Sequence, residues 1–259
     1  MKKELKFNKI GSTKLTSELK NSLVQYIAES SKIGELKLPS EVTIANELGV
    51  SRIALREVLK ELRNDGIIYS IHGKGTYINK NFTNLKFRFT PAREFLKSIQ
   101  ACGFKASVEL IDYQIIDADK YSIENLNLED NDKLLRIHKV FYADDKPVIF
   151  CIDTVPYKYF SDIKISESDV TQSTFDFLKD KAFIVVENDI VEITATLSSA
   201  IPTNFEKYKQ ALEHKPLIQM ASIYYTLTQE PIMSVKAFFD TEHIKLSQLR
   251  KQNVYDDYL

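Results

Sequence analysis

The chain is poor in cysteine, has no long apolar run and lacks the short strings that mark common catalytic sites. Its two cysteines, Cys102 and Cys151, stand far apart with no CxxC pattern and no Cys/His cluster around them. That excludes a disulfide framework and a cysteine-based zinc site, so both are expected to be reduced, half-buried thiols. No stretch approaches the roughly 18 consecutive apolar residues of a membrane span. The charged start "MKKELKFNKIGS" leads into no apolar run, so a cytoplasmic protein with no membrane partner is expected. The serine-hydrolase GxSxG, the zinc-protease HExxH, the phosphate-binding P-loop and the dinucleotide glycine fingerprint are all missing. Neither an enzyme nor a cofactor nor a metal site is expected.

What is present suffices for two ordinary domains: 259 residues, 44% of them hydrophobic. The net charge of −1 hides a split, because residues 1–80 hold 14 Lys and Arg against 9 Asp and Glu, leaving 21 against 27 for the rest. A basic head on an acidic body points to a polyanion met by the head alone, since Lys and Arg gain from phosphate through counterion release.

Within the head, Leu15, Leu19, Leu23 and Ile27 recur every four positions, the stripe of an amphipathic scaffold helix. "LPSEVTIANELGVS" then offers Ser40 as N-cap, Ile44, Ala45 and Leu48 as a buried face and Gly49 as the stop. Ser51 caps a third helix whose Leu55, Val58, Leu59 and Leu62 face inward before Gly66 ends it. Two short helices joined by a tight glycine turn make a helix-turn-helix. At about 100° per residue, Arg52, Arg56, Lys60 and Arg63 occupy a sector of roughly 80° beside the buried stripe. The second helix of such a motif enters a major groove, so this face can reach bases and phosphates. "GIIYSIHGKGTYI" alternates around "HGKG" and predicts a two-stranded wing. Lys74 at its tip can approach a phosphate, and Gly73 and Gly75 let the backbone come close.

"GELKLPSE", "ANELGVSR", "LREVLKEL" and "GIIYSIHGKGTYI" follow one another over residues 34–78 in the order of the winged-helix head of the GntR family of bacterial transcriptional regulators, which this segment resembles. The resemblance implies a dimer on a palindromic double-stranded operator. By matching position it makes Ser51, Arg52 and Arg56 contacts of the recognition helix, and Lys74 and Gly75 contacts of the wing; Lys60 joins the DNA-binding set from the basic face alone. Two positions depart from the family's pattern: Val42 stands where an arginine follows "PSE", and Ala54 where a threonine is common. Each removes a polar group available to bases or phosphates.

Residues 80–89, "KNFTNLKFRF", lack helical periodicity and read as a linker leading into an extended segment, giving a DNA-binding domain over 1–80 and a second domain over 81–259. The second opens with a helix at "TPAREFLKSIQACGF", capped by Thr90, with Pro91 in its first position and Gly103 at its end. Two long hairpins follow, "LLRIHKVFYADDKPVIFCIDTVP" and "PLIQMASIYYTLTQEPIMSVKAFFD", with "KPVIF" answered by "EPIMS". In the first, Leu135, Ile137 and Phe141 share one face, and Arg136, His138, Val140 and Tyr142 the other. "FDFLKD" and "FEKYKQALEH" read as short helices between strands, so the class is α+β with helices against an antiparallel sheet.

This order of helix, hairpin, helix, hairpin resembles the chorismate-lyase-like effector domain, called UTRA, of the family's HutC branch. The resemblance implies a small anionic effector such as a phosphorylated sugar. The local chemistry suits such an effector at the start of the helix after Phe89 and Thr90, with Arg93 in its first turn, where free N–H groups attract anions. Arg136 and His138 match two basic residues that hold the phosphate in such regulators, His138 standing in for an arginine, and Ser173 matches a hydroxyl used there. Cys151 stands where a sugar-binding carboxylate is frequent, and a thiol cannot accept two hydroxyl hydrogen bonds as a carboxylate does. The expected function is a ligand-responsive repressor. Its rivals are a non-specific or architectural DNA-binding protein, and an enzyme using the lyase-like body.

Overall fold

The structure, a computed structural model, describes residues 15–83, 87–88, 94–209, 212 and 215–248. The chain divides into two compact units. One reaches to Ala92 and includes the residues from Ser247, and the other is Arg93–Leu246.

The head is built from α1 (Leu15–Lys32), α2 (Glu41–Leu48), α3 (Arg52–Asn64), β1 (Ile68–Ile71) and β2 (Gly75–Ile78). Ser40 starts α2 by accepting from the Thr43 amide at 3.1 Å, and Gly49, at φ 69°, ends it in the left-handed region that β-carbon-bearing residues avoid. Ser51 starts α3 in the same way, accepting from the Ala54 amide at 3.2 Å. The expected stripes close on one another: Leu19, Leu23, Ile27, Ile44, Leu48, Leu55, Val58, Leu59 and Leu62 form one buried cluster with Ile68 and Ile78 of the wing. β1 and β2 pair antiparallel, with Ser70 opposite Thr76. Beyond the wing the segment read as a linker leading into an extended stretch carries an unexpected helical turn, α4 (Lys80–Thr83), ahead of a short strand, β3 (Phe87–Arg88).

The body comprises α5 (Phe95–Ala101), β4 (Ala106–Asp117), α6 (Lys120–Leu126), β5 (Lys133–Ala143), β6 (Lys146–Pro156), α7 (Glu167–Thr171), α8 (Thr174–Ala182), β7 (Asn188–Leu197), α9 (Glu206–Lys209), β8 (Pro216–Tyr225) and β9 (Pro231–Phe239), with a short β10 (Leu246–Ser247) after it. Six strands form one antiparallel sheet in the order β4-β5-β6-β9-β8-β7. The two long hairpins are β5–β6 and β8–β9, turned by Asp144 and Gln229 in left-handed conformations. They join where β6 pairs with β9, Cys151 opposite Ala237. The period-2 rule then assigns every side chain a face. Lys139, Cys151, Asp153, Met233 and Val235 share the face on which Phe95 of α5 packs against Phe141 and Phe239. Val140, Phe150 and Phe238 share the other, under Ile201, Phe205, Tyr208 and Leu212.

The helix expected at Thr90 begins later. Its first residue is Phe95, its N-cap is Glu94, and no side chain caps it. Phe89, Thr90, Pro91 and Arg93 lie outside the described residues.

Candidate nucleic-acid interface and ligand cavity

On the head, burial of Leu55, Val58, Leu59 and Leu62 leaves the rest of α3 in solvent, with Arg52, Arg56 and Lys60 all exposed. Arg56 donates its Nε to Glu41 Oε2 at 2.7 Å, which ties α3 to α2 and fixes the guanidinium while leaving its Nη groups outside that pair. Ser51 is exposed, and its hydroxyl is committed to the helix cap. On the wing, Lys74 is exposed at the tip, and Gly75 holds φ 110° where a β-carbon would meet Lys37 Cε at 3.4 Å. Tyr69 and Tyr77 stack across the hairpin at 5.8 Å between ring centroids, and the Lys37 ammonium lies over Tyr77 at 5.9 Å. One residue on α3 escaped the charge-based reading: Ile53, 78% exposed between Arg52 and Ala54. An apolar side chain there suits a thymine methyl, the one apolar group on a major-groove edge.

On the body, seven residues were expected at one effector site, and the four of them among the described residues separate onto the two faces of the sheet. Cys151 and Ser173 line a cavity with about 70 Å³ of free space under α5 and the start of α8. Arg136 and His138 line a different cavity of about 380 Å³ on the opposite face. Residues 136 and 138 alternate with residue 139 along β5, so no rotamer brings all four to one ligand. Both basic side chains are also engaged. Arg136 Nη2 donates to Asp119 Oδ2 at 2.7 Å, and His138 Nδ1 lies 2.7 Å from Asp112 Oδ1, whose other oxygen accepts from Asn204 at 2.8 Å.

The smaller cavity has a cation that the sequence reading passed over. Lys139 is 2% exposed, and its ammonium donates to the Gln172 carbonyl and the Thr174 hydroxyl, both at 2.8 Å, and faces Asp153 Oδ2 at 3.4 Å. Asp153 accepts in turn from Thr174 Oγ1 at 2.5 Å and from the Cys151 thiol at 3.1 Å. Burial, reinforced by the Asp153 charge, pushes the Cys151 thiol well up, so it stays protonated and donates. Burial raises the Tyr224 phenol as well. At the rim, Glu94 Oε1 accepts from Ser173 Oγ at 3.1 Å, and Oε2 pairs with Lys97 at 3.1 Å. The remaining walls include Phe95, Val108, Phe141, Phe175 and Met233. A signal for this site was available: Lys139 falls in the Leu135, Ile137, Phe141 register, and a lysine on an apolar face is rare unless it is paired.

Among the described residues, no helix is long and apolar enough to cross a membrane. Among the described residues one His/Asp/Glu group, Asp240, Glu242 and His243, has metal-ligand spacing, but the Lys215 ammonium lies 3.2 Å from Asp240 and 2.7 Å from Glu242 and already pairs with both carboxylates.

The pattern of the UTRA domain matches residues 101–245, and that of bacterial regulatory proteins of the gntR family matches residues 15–78. The chain is 24% identical over 241 residues to the mannosyl-D-glycerate transport/metabolism system repressor MngR of Escherichia coli (strain K12), covering 90% of this chain and 96% of that one. It is 22% identical over 239 residues to the probable fructoselysine utilization operon transcriptional repressor of the same strain, covering 90% and 93%. A solved structure of YydK from Bacillus subtilis, described as a possible transcriptional regulator, superimposes with a TM-score of 0.69 at 14% identity, covering 93% of this chain and all of that one.

Proposed function

Because the chain belongs to the GntR family of bacterial regulatory proteins, in the branch that carries a UTRA domain, we propose that it is a repressor that binds a palindromic operator as a homodimer and responds to a small metabolite. The family regulates transcription, so the chain is not an enzyme. The division of labour places DNA reading in residues 1–80 and effector binding with dimerisation in residues 81–259. Ser51, Arg52, Arg56 and Lys60 meet bases and phosphates from the recognition helix, and Lys74 and Gly75 meet the backbone from the wing.

The observation that carries this reading is the exposed cationic face of α3 on a core of aliphatic side chains. Supporting it, two relatives that align with nine-tenths of the chain carry repressor names tied to sugar-derived compounds, mannosyl-D-glycerate and fructoselysine. The effector cavity is the one lined by Lys139, Cys151, Asp153 and Ser173, because it combines an apolar wall with a few convergent polar groups. The effector must favour one operator-binding state over the other, and a hundredfold preference corresponds to about 2.7 kcal/mol.

The test is selection of sheared genomic DNA from the source organism by the purified full chain at about physiological salt. Enrichment of a few sites with a shared inverted repeat is the expected result. Recovery of fragments with no common motif would overturn the operator-specific reading and leave a non-specific binder.

A further inference from the structure

Among the described residues, the charges around the smaller cavity do not suit an anion. Lys139 is the only cation lining it among the described residues. Its three N–H groups have three acceptors within the protein: the Gln172 carbonyl, the Thr174 hydroxyl and the Asp153 carboxylate. Two carboxylates, Glu94 and Asp153, line the same space. A phosphate dianion placed there would find the lysine already neutralised and two like charges within a few ångströms, in a region that aromatic side chains keep low in dielectric. The cations expected to compensate, Arg136 and His138, stand on the other face of the sheet beside Asp119 and Asp112.

Taking this cavity as the effector site, a premise it shares with the proposed function, we infer that the effector carries no phosphate and presents hydroxyl or ammonium donors to Glu94 and its neighbours. A carboxylate has about four acceptor positions, and Glu94 uses one toward Ser173 and one toward Lys97. Those left over can accept from an incoming hydroxyl or ammonium. Gln172 and Ser173 supply further polar edges, while Phe95, Phe141 and Phe175 cover the carbon skeleton.

The experiment uses the full chain on the fragments recovered by genomic selection. A small-metabolite extract of the source cells is added with and without prior alkaline phosphatase treatment, and the change in DNA affinity is read. The expected result is an effect that survives phosphatase and falls about tenfold or more in potency for Glu94→Gln, the loss of a charged hydrogen-bond acceptor. Loss of the effect on phosphatase treatment would overturn the ligand class while leaving ligand-responsive repression intact. An untreated extract without effect would sink ligand responsiveness itself, and the ligand class with it. In parallel, inorganic phosphate at about 10 mM, compared with chloride of equal ionic strength, should leave the wild-type Tm unmoved and raise that of Asp153→Asn, in which Lys139 is no longer neutralised. A phosphate-dependent rise in the wild type that Lys139→Met removes would also overturn the inference.

Discussion

The head and the body handle charge in opposite ways. The head's core is hydrocarbon apart from Ser30, its one buried polar side chain among the described residues, and it displays Arg52, Lys60 and Lys74 to solvent, with Arg56 exposed beside Glu41. The body buries Lys139, Asp153, His138 and Asp240, each beside an opposite or complementary partner. A surface that must meet a polyanion keeps its cations hydrated and free to exchange counterions for phosphate. A cavity that must recognise one small molecule holds polar groups in low dielectric, where each pair is geometrically demanding and costly to leave incomplete.

The contrast can be broken most forcefully at Lys139. Lys139→Ala leaves Asp153 buried without its cation and should cost about 3–5 kcal/mol of stability, measured by denaturant unfolding of the full chain. The double variant Lys139→Met, Asp153→Leu should recover most of that loss, and a single variant as stable as wild type would refute the pairing. Arg52→Ala should do the converse. Unfolding stays within about 0.5 kcal/mol of wild type, while operator binding weakens by about 1–3 kcal/mol relative to random DNA in a titration at fixed salt. Equal weakening on all DNA would demote Arg52 from reader to phosphate contact.

A smaller effect tests the scaffold that aims the reading helix. Ser40→Ala removes the N-cap of α2 and should destabilise the head by about 1 kcal/mol, visible as faster amide exchange in α2.

The smallest lies in acid. Burial works to raise the Glu109 carboxyl, but donation from Lys207, Tyr142 and Tyr208 together outweighs it and holds the group down to about 2. A carboxylate depressed from 4.5 stabilises the fold above that pH and loses the contribution as pH falls through 2. Glu109→Gln should therefore flatten the acid limb of the stability profile between those values. An unchanged limb would show that this partly exposed cluster contributes nothing measurable.

Legibility in the sequence followed the same division. In the head, caps at Ser40 and Ser51, the stop at Gly49, the buried stripes of α2 and α3 and, in α1, Leu19, Leu23 and Ile27 were readable because each depends on residues within a few positions; the side chain of Leu15 lies outside the described ones. The body's central hairpins were readable by alternation and turn chemistry. Its edge strands β4 and β7 were not, since β7 exposes Ile190, Ile193 and Leu197 and mimics no half-buried pattern. The start of α5 at Phe95 escaped because its N-cap, Glu94, makes no side-chain cap and so leaves no capping signal in the sequence.

The sequence by itself determined the winged helix, its basic face and the α+β character of the body, because helical and strand periodicities and capping act locally. Only the tertiary structure decided which body residues share a cavity. Whether Cys151 meets Ser173 or Arg136 depends on the pairing of β5 with β6 and of β6 with β9, and on which helix covers which face. Those are contacts between distant parts of the chain, and a period of two sorts side chains onto faces without saying what lies above either one.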